Sequence, residues 1–124
     1  MNVENVYKFR SYIRDLYKKD TTLEGDLVDS VYSIFENKDM IGRFSTDISE
    51  GYIEVVLLKE SNITMDDLGK VVNEVTNSVQ KFILNNIHNI NVPQNEREEF
   101  VQFVNSRNSL FEHFVIGNMI KFNL

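Results

Sequence analysis

The chain contains no cysteine, no alanine and no tryptophan, and its 124 residues include a single proline and five glycines. Without cysteine there is no disulfide scaffold, no thiolate metal site and no cysteine nucleophile, a composition that suits a reducing, cytoplasmic setting. Five scattered glycines form neither G-x-G-x-x-G nor a Gly-rich loop ending in lysine, so no phosphate-cradling motif is present. Long apolar runs are missing as well: the longest aliphatic stretch is Val55 to Leu58. The start, Met1 to Val6, has no basic region followed by an apolar one, so neither an export signal nor a membrane span is expected. The lack of alanine is odd for a chain of helical periodicity, because alanine is the best helix former. With fifteen asparagines and eleven isoleucines beside it, the bias points to an AT-rich coding sequence, as in a low-GC bacterium or its phage.

What is present suits one helical domain over residues 1–124: 42% of the residues are apolar, enough for a single core. The formal net charge of −6 is unevenly spread. Residues 1–19 carry five bases against two acids, 5 − 2 = +3, whereas residues 20–74 carry four bases against thirteen acids, 4 − 13 = −9. An acidic body repels phosphate backbones, so nucleic acid is not an expected partner.

Apolar spacing predicts four helices. Leu68, Val71, Val72, Val75, Val79, Phe82, Ile83, Ile87 and Ile90 follow one helix face. Its start is marked by Thr64 and Asp67, which resemble a capping box, and by the staple spacing of Ile63 and Leu68. Pro93 ends that helix near Asn91 and opens another. The last helix is expected to run along Phe100, Phe103, Val104, Leu110, Phe111, Phe114 and Val115 to Gly117. Toward the amino end, Val6, Phe9, Ile13 and Leu16 line one helix. Leu23, Leu27, Val28, Val31, Ile34 and Phe35 line the next, with Thr21 and Glu24 as its capping box. Between them and the long helices, Phe44, Thr46 and Ile48 alternate, Ser49-Glu50-Gly51 offers a turn, and Tyr52 to Leu58 is rich in strand formers. The expected fold is therefore mainly α: a four-helix-type bundle with a long C-terminal antiparallel helical hairpin, and a small β-hairpin, or a short helix, inserted around residues 43–59.

Arg107 is the residue most open to a functional reading. Helical rotation sets it among Phe103, Val104, Phe111 and Phe114, where a charge requires a partner. It is either a core arginine that pairs with a carboxylate, Glu24 being a candidate, or that snorkels its head to the bundle end, or it is part of an anion site lined by aromatics. Asn86 falls on the line of Leu68, Val75 and Val79, where it would satisfy backbone or water, fix helix register, or line the same pocket. Tyr12 and Tyr17 are further candidates for that lining. His88 and His113 belong to no pattern, no Glu-x-x-His motif occurs, and no G-x-S-x-G elbow occurs, so no metal, cofactor or catalytic residue is assigned. The aromatics at helical spacing read as core. The apolar tail Met119, Ile120, Phe122 and Leu124 is expected to cap the bundle or to cover a neighbouring subunit as a homodimer. The functional expectation is a small acidic, non-enzymatic binding or regulatory protein that contacts a basic protein partner through residues 20–74. The alternatives are an anion-binding sensor or enzyme with a pocket near Arg107, and a structural homo-oligomer.

Overall fold

Eight elements follow one another along the chain: α1 (Val3–Lys19), α2 (Thr21–Glu36), β1 (Ile41–Asp47), β2 (Tyr52–Leu57), α3 (Met65–Asn85), α4 (Arg97–Ser106), β3 (Glu112–Ile116) and β4 (Met119–Asn123), with single 3₁₀ turns at 87–89 and 94–96 before α4. The structure is a computed structural model that describes residues 3–38, 40–47, 51–58, 64–107 and 110–124, without the side chains of Thr21 and Glu24. Ile48, the Ser49-Glu50 part of the expected turn and Ile63 of the expected staple lie outside the described residues. No helix of the described residues is long and apolar enough to cross a membrane.

The expected mainly α bundle is not what forms. The four strands make one antiparallel sheet in the order β1-β2-β4-β3, so the helices pack on a sheet rather than only on one another. The hairpin of residues 41–57 is not a separate insertion but one half of that sheet, and the carboxyl-terminal residues supply the other half. The last helix is only ten residues long. It stops because Asn105 to Ser109 is a run of polar residues poorly suited to a helix, and because Arg107 turns into the left-handed region at φ 63°. Phe111, Phe114 and Val115, which matched helical spacing, lie beyond the break. From Glu112 onward, β-branched and aromatic residues flank Gly117-Asn118. Gly117 at φ 61° followed by a residue without positive φ is the pattern of a II′ hairpin turn, whose twist suits the flanking strands.

Pro93 does not open α4 either. It precedes the 3₁₀ turn 94–96, which leads into α4 at Arg97. At the other long helix the local signal is realised: Thr64 Oγ1 accepts from the Asp67 N–H at 3.1 Å, and α3 begins at Met65. It closes at Asn85, before the predicted Asn91. α2 is capped by Asp20, whose side chain accepts from Thr22 N, one residue before the expected cap.

The helices cover one face of the sheet. Strand alternation sends Ile53, Val55 and Leu57 of β2 and Ile120 and Phe122 of β4 into the core, where all are buried. Phe122 meets Phe35 of α2 at 6.2 Å and Phe111 at 5.6 Å between ring centroids. On the helical side Phe9 is fully buried, with Phe100 edge-on at 5.4 Å and Phe103 at 5.5 Å. The tail thus neither caps a bundle nor stays free for a neighbour: Ile120, Phe122 and Leu124 are buried in the chain's own core.

Candidate interaction surfaces

Three surfaces emerge once the charged side chains are placed. The first belongs to α1, where three of its five bases, Lys8, Arg10 and Arg14, turn toward their own chain while Lys18 and Lys19 are exposed. Lys8 and Tyr12 converge on Glu96: Lys8 Nζ forms an ion pair with it, and the Tyr12 hydroxyl donates to Oε2 at 2.7 Å. Asn5 Nδ2 donates to Glu99 Oε1 at 2.8 Å one turn further on. These bonds hold the Glu96 carboxyl below the usual carboxylate range, through Lys8 first and Tyr12 second. The same bonds raise the Lys8 ammonium and the Tyr12 phenol above their ordinary values.

The second surface is a cleft of about 460 Å³ between α1 and the end of the sheet, lined in part by Tyr7, Arg10, Arg14, Gly51 and Glu112. Arg10, buried and beneath the Tyr7 ring, reaches Glu112 Oε1 at 3.4 Å. Arg14 Nη2 donates to the Leu124 carbonyl at 2.6 Å, while its Nε is buried without a hydrogen-bond partner. Gly51, at φ 89°, lets the arginine pass: a Cβ there would stand 3.0 Å from Nη2.

The third surface is acidic. Asp26, Asp29 and Glu36 on α2 and Asp66 and Asp67 in the first turn of α3 are all exposed, and among the described residues none of them is paired with a base. Glu74, between the two helices, does take a base, Lys38, at 3.3 Å.

The residues singled out in the sequence do not converge. Arg107 is the left-handed cap of α4 rather than the middle of a helical stripe, and it donates from Nη2 to Asn73 Oδ1 of α3 at 2.8 Å. Asn86 closes α3 and donates from Nδ2 to the Phe82 carbonyl at 2.9 Å, a local cap in place of a pocket lining. Tyr12 faces Glu96. Tyr17 is buried against the Phe82 ring at 5.7 Å, and burial pushes its phenol far up. The Glu24 side chain lies outside the described residues. His88 and His113 are exposed on separate elements, and no three of the described His, Asp and Glu residues come together as a metal-binding group. Sequence reading missed the Arg10–Arg14 pair. Its signal was two bases four apart within α1, one of them beside the apolar Phe9 and next to the stripe. Comparison with family models, with curated proteins and with solved structures finds no match to this chain.

Proposed function

We propose that this is a non-enzymatic binding protein that engages a basic protein partner through the carboxylates of residues 20–74. The observation that carries the reading is the asymmetry of pairing. Lys8, Arg10 and Arg14 of α1 are drawn into contacts with Glu96, Glu112 and Leu124, whereas Asp26, Asp29, Glu36, Asp66 and Asp67 stay exposed and unmatched among the described residues. Carboxylates left in that way attract a basic surface, contributing association rate and selectivity more than affinity. The test is a tagged pull-down of the full chain from source lysate at low and high salt, beside the triple variant Asp26→Asn, Asp29→Asn, Glu36→Gln. A basic protein held by the wild type, released by salt and lost by the variant supports the reading. Capture that ignores salt, or that the variant retains, refutes it.

A second reading, an anion-binding cleft, is favoured by the buried and unpartnered Arg14 Nε beside Arg10. Inorganic phosphate or citrate should then raise the melting temperature of the wild type and not that of Arg14→Ala. No shift with either anion ends this second reading.

A further inference from the structure

The two edges of the sheet are finished in opposite ways. β1 has a register irregularity between Ile41 and Arg43, carries Arg43 and Asp47, and is covered by α2, where the Tyr32 ring meets Phe44 edge-on at 5.2 Å. Bulges, charges and a covering element are the devices that stop an edge from recruiting another strand. Among the described residues, β3 has no bulge and no element laid over its length, and its one charge, Glu112, stands at its first residue, where Arg10 of α1 reaches it. Its register with β4 is unbroken from Glu112 to Ile116, all five of its residues are exposed, and Ile116 is 64% exposed. From His113 to Ile120 there is no formal charge, in a chain of net −6.

We propose that β3 is a self-association edge: it pairs antiparallel with β3 of a second copy about a two-fold axis, joining two four-stranded sheets into one of eight. The register follows from symmetry. A two-fold axis normal to the sheet keeps each residue on its own face, so the axis must pass beside a residue that then lies opposite itself. Centring on His113 sets Glu112 against Phe114, and centring on Phe114 sets Glu112 against Ile116. Centring on Val115 sets Phe114 against Ile116 of the second copy, twice, and Val115 against Val115. Only that register matches apolar with apolar at each of these positions. It also continues an existing strip, because Ile116, Met119 and Val56 are cross-strand neighbours on the sheet's open face. The open edge requires a strand, the lack of charge after Glu112 lets two acidic bodies approach there, and the self-matching register selects a second copy.

Light scattering on the full chain across a concentration series, with circular dichroism as a fold control, tests the pairing. The wild type should rise from 14.5 kDa toward twice that mass as concentration increases, whereas Ile116→Lys should stay monomeric with an unchanged spectrum. Dimerisation between like-charged bodies should strengthen as salt increases, opposite in sign to the basic-partner contact proposed above, so the two fail separately. Val115→Cys introduces the chain's only thiol. Opposed residues in an antiparallel ladder have Cα atoms about 4.5–5.5 Å apart, within disulfide reach, so the variant should oxidise to a covalent dimer and His113→Cys should not. A wild type that is monomeric throughout, an Ile116→Lys variant that still dimerises, or equal cross-linking at 113 and 115 overturns the proposal, as does capture of a foreign strand by a wild type that never dimerises.

Discussion

Replacing Phe122 by alanine tests the sheet-built core most directly, because the residue belongs to a segment whose sequence reads as a loose tail. Its ring is fully buried and sits between Phe35 and Phe111. Truncating a buried phenylalanine removes its transfer free energy and leaves a cavity, together about 3–5 kcal/mol. Against a total stability of about 5–15 kcal/mol, that is a large share. At about 4 °C per kcal/mol for a chain of this size, the melting temperature should fall by about 12–20 °C. The control is the neighbouring residue, whose side chain emerges on the other face of β4. Lys121 reaches Glu54 at 3.8 Å and lies over the Tyr52 ring at 4.9 Å, contacts whose loss in Lys121→Ala should cost less than about 1 kcal/mol. Both variants are compared with the wild type by urea denaturation followed by circular dichroism at low protein concentration. If Phe122→Ala falls within about 1 kcal/mol of Lys121→Ala, the alternation of β4 between core and open face is wrong, and the sheet with it.

Acidification should loosen the hold of α1 on Glu96. That carboxyl is depressed in the native state, so its contribution is present above the ordinary carboxylate pKa and is lost as pH falls through the native value. Urea midpoints measured from about pH 7 down to about pH 2 should therefore show the gap between wild type and Glu96→Gln closing toward the acid end. Lys8 and Tyr12 are shifted upward, so their contributions are present below their ordinary pKa values and are lost as pH rises through the raised native ones. Gly51→Ala should destabilise by about 1–2 kcal/mol, from the left-handed backbone alone, with crowding against Arg14 adding to it, and a thermal melt reads the loss. The α2 triple variant used in the pull-down should keep its stability to within about 0.5 kcal/mol per site, since its side chains are exposed.

The helical half of the molecule was legible because its signals are local. Thr64 with Asp67 lie three residues apart, and the apolar stripe of α3 repeats every turn. The carboxyl-terminal hairpin is hidden in the sequence because Phe111, Phe114 and Val115 fit a helical spacing by coincidence, while the period-two set Ile120, Phe122 and Leu124 resembles an apolar tail. Gly117-Asn118 between apolar runs was a hairpin signal, and the polar run 105–109 was a helix stop. The pairing of β2 with β4 has no local signature at all, since partners such as Asn118 and Leu57 are 61 residues apart. The expected placement of Arg107 differs from the observed one for a related reason. Arg107 gained its place among phenylalanines from a helix that ends at Ser106, and once the helix ends, the rotation that placed it there no longer applies.

The central position of β4 also sets the order in which the molecule can be completed. Leu57 and Asn118 close that pairing reciprocally, the Leu57 N–H donating to the Asn118 carbonyl at 2.7 Å and Asn118 Nδ2 returning to the Leu57 carbonyl at 2.9 Å. On the ribosome, β1, β2 and all four helices emerge before the strand that belongs beside β2. Until then Ile53, Val55 and Leu57 belong to a two-stranded hairpin, which is marginal by itself in water. Between the synthesis of Leu57 and that of Met119 the growing chain therefore carries an unfinished apolar surface, and the core on that side closes only when β4 slides in between β2 and β3.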